Sequence, residues 1–422
     1  MGALPLRSRL AVAVSRAVGG ASRRLGAGSG TVVGGRAGLA IDPQLLTRLA
    51  AGRTVALVSG TNGKTTTTGL LAAALGEVAV NAGGSNMPAG HVAALVGAAR
   101  GLPAVLEVDE GYLPRLVQWL TPSVVVLLNL SRDQLDRTNE VRMVAGRWRD
   151  TLGDAPATTP VANADDPLVV WAAAASAHPV WVAAGLAWRA DAVGCPACEG
   201  RITFTGSDWA CRCGLARPRP DAWLEPGAPG EPDDMVFADG RRFPLALAIP
   251  GRFNRANAAM AACAAEVLGV RPERALARMA DVDEVGGRFS VHQVGGHRVR
   301  LMLAKNPAGW RELLELVCPG TGPLVIGINA RVADGRDPSW LWDVPFERLA
   351  GRPVVATGER CLDLAVRLRY AGVTHASVRD PLAAVGAAAE LGCGPASPGE
   401  PSEPSLDFIG NYTAFFDLLA RR

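Results

Sequence analysis

The segment "TVALVSGTNGKTTTTGLLAAALGE" (residues 54–77) constrains this chain more than any other. A short apolar strand runs into a glycine-bearing loop and then into a helix rich in alanine and leucine. That succession is the first unit of an α/β domain built on a parallel sheet. The loop departs from G-x-x-x-x-G-K-[ST], because Val58 stands where the leading glycine belongs. It reads instead as the compact Gly60-Thr61-Asn62-Gly63-Lys64-Thr65, followed by Thr66. Its glycines let backbone N–H groups approach phosphate oxygens, and the helix N-terminus adds a favourable dipole. Of 43 basic residues only two, Lys64 and Lys305, are lysines. A compact ammonium at Lys64 suits the β- and γ-phosphates of a nucleotide, where a planar guanidinium packs poorly. The Thr65 hydroxyl is then a magnesium ligand.

Two further apolar runs, "AVLEVDE" (104–110) and "SVVVLLNL" (123–130), end in polar residues, as parallel strands buried on both faces do. Glu107, Asp109, Glu110 and Asn129 therefore fall near carboxyl ends of strands, where such sheets bind ligands. Glu107 is the first candidate for the second magnesium ligand, with Asp133 and Asp136 of "NLSRDQLDR" as further carboxylates. "LVVWAAAASAHPVWVAAGLAW" (168–188) imitates a membrane span, but Pro179 and His178 divide it into a buried helix to about 176 and a strand. No membrane span is expected.

Residues 190–235 change composition and read as an insertion outside the sheet. Within them lie Cys195-Pro-Ala-Cys198 and Cys211-Arg-Cys213, two thiol pairs able to complete a closed tetrahedral Cys₄ zinc site of structural type. The second pair is C-x-C rather than C-x-x-C. Disulfides are the alternative, which a reducing compartment disfavours. Cys263, Cys318, Cys361 and Cys393 stand singly and read as inert.

The N-terminus lacks a secretory apolar core and carries six arginines before the first acid, Asp42. Leu6, Leu10, Val14 and Val18 recur every four residues and Arg9, Arg16 and Arg23 every seven. That pattern is an amphipathic helix, docked on the first domain or laid on an anionic membrane surface. The organisation expected is a basic segment (1–45), an ATP-binding domain (46–290, with the insert at about 190–225) and a smaller Rossmann-like α/β domain (291–422). A net charge of +3 and a thin scatter of arginines in the insert argue against nucleic acid.

"SGTNGKTTT", "IPGRFNRANAAMAA" and "GGRF" resemble the ATP-binding core of the Mur ligases and folylpolyglutamate synthases. "GSNMPAG", "EVDEGYLPR", "RDQLDR", the cysteine insert, "LAKNPAG" and "ADGRDPSWLWD" together narrow the resemblance to the MurT family, Mur-ligase-like subunits of lipid II isoglutaminyl synthases. The resemblance implies a Mur-ligase-like fold. It also implies ATP-dependent amidation of the D-glutamate α-carboxyl of the lipid II stem peptide, through an acyl phosphate, within peptidoglycan synthesis. Ammonia would come from a separate GatD-like glutaminase, since no cysteine here stands in a convincing nucleophile turn. Lys64 and Glu107, read above from the loop and the strand end, fit the activation step as catalytic residues. The resemblance places Asn257 at the adenine, and Arg288 is counted with the nucleotide. Lys305, just after a strand at the start of the second domain, would touch the ATP phosphates or the substrate carboxylate. Asp337 would complete the partner's Cys–His pair, with Asp334 and Asp343 as alternatives. Trp340 and Trp342 read as exposed interface residues. ATP, Mg²⁺ and Zn²⁺ are the implied cofactors, in a cytoplasmic chain at or near the inner membrane face. The alternatives are a free-standing amino-acid ligase of the same fold and a zinc-ribbon nucleic-acid-binding ATPase.

Overall fold

A computed structural model describes residues 4–25, 30–81, 84–132, 141–228, 231–283, 289–318, 320, 322–392 and 406–421. Asp133, Asp136, Arg288 and Cys393 lie outside the described residues. The chain divides into two compact units, the first comprising residues 1–130, 140–248 and 252–286 and the second the remainder.

In the first unit α1 (Leu6–Arg24), α2 (Thr31–Ile41) and α3 (Leu45–Ala50) precede β1 (Val55–Ser59) and α4 (Lys64–Leu75). The alternation continues through β2 (Ala79–Val80), α5 (Pro88–Gly97), β3 (Ala104–Glu107), α6 (Leu113–Leu120) and β4 (Val124–Leu127). It then runs through α7 (Val141–Gly153), β5 (Thr159–Asn163), α8 (Pro167–Ala173) and β6 (Val180–Ala183). A hairpin of β7 (Ile202–Thr205) and β8 (Asp208–Cys211) stands apart as its own two-stranded sheet. β9 (Ala222–Glu225), β10 (Asp233–Phe237) and β11 (Arg242–Leu245) follow, and α9 (Arg252–Val267) and α10 (Pro272–Ala280) close the unit.

The large sheet has the order β11-β10-β9-β6-β5-β4-β1-β3-β2, parallel from β2 through β9 and antiparallel beyond. β1, β3 and β4 are buried at every residue, which is why they read as uninterrupted apolar runs. After β1 the chain runs to β2 and then β3 on one side and crosses to β4 on the other. The loop after β1 therefore lies at a topological switch point, on the carboxyl edge where such sheets take ligands.

Two expectations need correction here. The insertion is shorter than its composition indicates: residues 222–237 are not outside the sheet but supply β9 and β10 to it. Their strands are short and partly exposed, so they lack the apolar runs that identify the buried strands. Second, α1 is helical, but its leucines do not face the domain. Leu6 is 80% and Leu10 58% exposed, and the buried positions are Ser8, Ala11, Ser15 and Gly19. The partner helix explains the inversion. A Cβ on Gly34 of α2 would lie 2.6 Å from the Ser15 carbonyl oxygen, and one on Gly35 would lie 1.8 Å from that of Ala89 in α5. These backbones approach too closely for leucine. The joint is closed by polar contacts: Ser8 Oγ donates to the buried Asp42 at 2.6 Å, and Arg48 pairs with the same carboxylate at 2.7 Å.

The second unit runs β12 (Phe289–Val294), β13 (His297–Leu303), α11 (Pro307–Val317), β14 (Leu324–Gly327), β15 (Val354–Thr357) and α12 (Cys361–Tyr370). β16 (His375–Ser377), α13 (Pro381–Gly392), β17 (Leu406–Gly410) and α14 (Tyr412–Ala420) complete it. Its sheet has the order β12-β13-β17-β14-β15-β16, parallel except for the β12–β13 hairpin. Val325, Val355, Phe408 and Phe415 lie at its centre, none with any exposed surface. Among the described residues no helix is long and apolar enough to cross a membrane.

Substitution separates the two faces of α1. Gly35→Ala should lower the free energy of unfolding by about 2 kcal/mol or more, because the backbone contact with Ala89 cannot yield. Leu10→Ala should change it by less than about 0.5 kcal/mol. Urea titration of both variants checks this, and the reverse ranking would restore the leucine face to the interior.

Candidate active site

Gly60 and Gly63 both adopt positive φ, 142° and 87°. A Cβ on Gly60 would crowd Leu128 and Asn129 at 2.9–3.0 Å, so only glycine fits against the end of β4. Asn129 clamps the turn from that side. Its carbonyl accepts from Thr61 N at 2.9 Å, and its amide exchanges hydrogen bonds with Asn62 at 2.9 and 3.0 Å. α4 then begins at Lys64, and as first-turn donors the N–H groups of Lys64, Thr65 and Thr66 have no acceptor inside the helix. The loop thus presents backbone donors and a dipole to an anion.

Lys64 is buried. Its ammonium donates to the carbonyls of Gly60 and Thr61 and pairs with Glu110 at 3.1 Å. Glu110 is in turn positioned by Trp148, whose indole N–H donates to its carbonyl at 2.9 Å. Thr65 Oγ1 donates to Glu107 Oε2 at 2.8 Å. Glu107 is 1% exposed, and its other oxygen, Oε1, is buried with no hydrogen-bond partner among the described residues. A buried carboxylate oxygen left unclaimed beside a threonine hydroxyl is a donor set that fits a hard divalent cation such as Mg²⁺.

The backbone of Glu107 is held by two residues that the sequence did not single out. Asn81 accepts from its N–H at 2.8 Å and donates to its carbonyl at 3.0 Å. His91 Nε2 lies 2.8 Å from the same carbonyl, which can only accept, so Nε2 carries the proton. Burial in α5 pushes His91 down to about 4, partly offset by that hydrogen bond, and the ring is neutral at pH 7. The signal available was a lone histidine in an apolar helix, which carries no role until β3 is placed beside it.

Asn257 of α9 reaches the loop: a Cβ on Gly63 would lie 2.6 Å from its Oδ1. Asp109 instead caps its own turn through Gly111 N at 3.1 Å. In the second unit Lys305 is half-buried just beyond β13, beside Asn306, whose side chain caps α11 through Gly309 N at 2.9 Å. Asp334 is buried, with its oxygens accepting from Thr413 and from Arg331 N. Asp337 is exposed and accepts from Ser339 N at 2.9 Å, and Asp343 is also exposed. Trp340 is not an exposed interface residue: it is 5% exposed and packs on Trp310 at 6.2 Å. Trp342 is 55% exposed, as expected.

The four cysteines converge. Their Sγ atoms all lie within 4.8 Å of one another, with Cys195–Cys213 at 3.6 Å and Cys198–Cys211 at 3.5 Å. A tetrahedron with Zn–S of about 2.3 Å has edges of about 3.8 Å, so the set fits zinc. The backbone N–H of Cys213, with further thiol contacts, pulls Cys211 down to about 7. Trp209 anchors the ribbon, donating to the Ala164 carbonyl beyond β5 at 3.1 Å. Cys263 and Cys361 are buried, burial pushes the Cys263 thiol up, and Cys318 donates to the Arg348 carbonyl at 3.2 Å.

Two buried groups set opposing pH dependences in the first unit. The folded state resists protonating His91 until about 4, whereas the unfolded chain takes up the proton near 6.5. Its contribution is therefore full above 6.5 and lost as pH falls to 4. Asp166 caps α8 and accepts from Leu130, Leu168 and Val169, yet burial pushes it up to about 6 from 3.8. Its contribution is full below 3.8 and lost as pH rises to 6. Each excursion is worth about 3 kcal/mol, so the two largely cancel between pH 4 and 6. Urea titrations should show the unfolding free energy of His91→Gln falling as pH is raised through that window. That of Asp166→Asn should rise, and parallel profiles would contradict the assignment.

Residues 58–185 match the Mur ligase middle domain, and residues 303–415 match the MurT ligase C-terminal domain. The chain is 30% identical over 375 residues to the MurT subunit of the glutamine-hydrolyzing lipid II isoglutaminyl synthase of Streptococcus pneumoniae, covering 82% of this chain and 83% of that one. It is 28% identical to the Staphylococcus aureus (strain COL) subunit over 87% and 89% of the two. Among solved structures it is similar to MurF from Acinetobacter baumannii (TM-score 0.65, 16% identity, 91% and 80% covered). It is also similar to a pseudomurein peptide ligase type C from Methanothermus fervidus (TM-score 0.64, 19% identity, 90% and 80% covered). These two share the fold. With a relative this close along most of its length, the chain belongs to the MurT family of Mur-ligase-type, ATP-dependent enzymes.

Proposed function

We propose that this chain is the synthase subunit of a lipid II isoglutaminyl synthase, and that it amidates the D-glutamate α-carboxyl of the lipid II stem peptide. The observation that carries the chemistry is the buried pair of Glu107 and Thr65 beside the Lys64 loop. In the reaction a carboxylate oxygen attacks the γ-phosphorus of ATP and ADP leaves. Ammonia then attacks the acyl carbon of the resulting acyl phosphate, inorganic phosphate leaves, and the amine loses a proton. The loop N–H groups and Lys64 hold the phosphates, and Asn257 and Lys305 are assigned to the nucleotide with them. Thr65 and Glu107 would hold Mg²⁺, which supplies charge neutralisation on the phosphates. Glu110 holds the ammonium at the loop until the phosphates take over that role.

Ammonia is proposed to come from a glutaminase partner docked on the second unit. On α12, Leu362, Val366 and Tyr370 recur every four residues and are all exposed. Tyr370 meets Trp342 edge-on at 5.4 Å, extending the apolar patch. Asp337 stands just before the turn Ser339–Asp343 that carries Trp342. Its exposure suits a carboxylate that orients the partner's histidine; Asp334, buried and already engaged, does not suit that role. A lipid-linked substrate also gives a reason for the exposed Leu6 and Leu10 beside Arg9 on a segment with no acid before Asp42. That surface is proposed to rest on anionic lipid.

Co-purified with a GatD-like glutaminase, the chain should convert lipid II to its amide with ATP and glutamine. Lys64→Ala should abolish turnover and leave the complex intact on gel filtration. Asp337→Asn should retain amidation from added ammonium while losing more than about 100-fold with glutamine. Val366→Glu should release the partner. Ligation of an amino acid in place of ammonia would overturn the reading. Leu6→Ala/Leu10→Ala should sediment less with phosphatidylglycerol vesicles than the unaltered chain; equal sedimentation removes the membrane surface alone.

A further inference from the structure

A cavity of about 360 Å³ lies between the cysteine ribbon and the large sheet, apart from the phosphate loop. Its floor is the carboxyl edge of the sheet: Asp165 follows β5, and Gly185 follows β6. Arg189, Arg217 and Arg252 enter its wall, with Phe204 from the ribbon hairpin and Trp223 from β9. Only one of the three guanidinium charges is neutralised within the lining. Arg217 pairs with Asp165 at 2.7 Å, and the other oxygen of that carboxylate accepts from Gly185 N at 2.6 Å. Arg189 lies over the Phe204 ring at 4.8 Å and gives a hydrogen bond to the Gly206 carbonyl. The Arg252 guanidinium stands beside Gly185, where a Cβ would meet it at 3.3 Å. Among the described lining residues, neither Arg189 nor Arg252 has an acidic partner, and Phe204 and Trp223 stand with them in the wall.

We propose that this cavity is an oxyanion-binding subsite, taking a phosphate ester or a carboxylate, and that the ribbon is its wall. Forked guanidiniums in the wall of a concave space are the groups that recognise such anions bidentately. The proposal goes beyond the amidation reading and gives the ribbon a task. Phe204 and Arg217 are held where they are by the hairpin, and the buried cluster of Cys195, Cys211, Ile202 and Trp209 ties that hairpin to Val170 of α8. A metal on the four thiolates would hold both residues in the wall. Because β4 and β5 separate β1 from β6, the subsite lies about 10–15 Å along the edge from the phosphate loop at about 5 Å per strand. A ligand with its reacting group at the loop could place a second anion there.

The test uses the full zinc-loaded chain carrying Lys64→Ala, which weakens anion binding at the phosphate loop, titrated calorimetrically with pyrophosphate and separately with glutarate. The result expected is one binding event per chain for at least one probe, weakened about tenfold or more by Arg189→Gln or by Arg252→Gln. Both arginines are exposed, so neither change should impair folding, and thermal melts verify that. Pyrophosphate alone binding identifies the phosphate class, glutarate alone the carboxylate class. Removing zinc with a chelator should abolish the event. Absence of binding in the Lys64→Ala chain, or binding indifferent to both arginine changes, overturns the subsite; binding that survives zinc removal overturns the ribbon's part in it. No ATP, lipid or partner enters the measurement, so its failure leaves the amidation reading standing, and the reverse holds too.

Discussion

The site depends on a carboxylate kept out of water with one oxygen unclaimed. Burying an anion is costly unless partners and cations compensate, and Glu107 has a hydroxyl on one oxygen only. Its backbone is fixed on both sides by Asn81 and by a neutral His91, and its side chain is tied to the loop through Thr65. In the proposed reaction that compensation is a divalent cation carried with the nucleotide.

The same economy governs Lys64. Its ammonium is satisfied by two carbonyls and Glu110, a compact arrangement that suits an ammonium better than a planar guanidinium. In the proposed reaction phosphate oxygens would replace those acceptors, while Asn129 and the two positive-φ glycines hold the turn. The rigid parts are therefore the sheet edge and the loop. The exchangeable parts are the ligands of one ammonium and one carboxylate oxygen.

Legibility in the sequence followed range of interaction. The strand, loop and helix around Lys64 were readable because their signals are local, and Thr65 and Glu107 because each sits at a fixed offset from an element end. The cysteine quartet was readable from spacing. Asn81 and His91 act through β3, and no local pattern announces a residue whose work is to hold another's backbone. α1 misled because apolar periodicity ordinarily marks the buried face, whereas here close helix contact selects serine, alanine and glycine and turns the leucines outward. Trp340 misled for a related reason: a polar loop sequence hid its stacking on Trp310. β9 and β10 were missed because short, half-exposed strands lack the alternation and apolar runs that reveal longer ones.

The central claim is that the loop and Glu107 serve to activate a carboxylate. Transfer of oxygen tests it most directly. Lipid II labelled with ¹⁸O in the D-glutamate α-carboxyl is incubated with the chain, ATP, Mg²⁺ and ammonium, and the inorganic phosphate released is analysed by mass spectrometry. Activation as an acyl phosphate delivers one labelled oxygen to phosphate for each amide formed. Amide formation with unlabelled phosphate, or phosphate release without amide, would contradict the account.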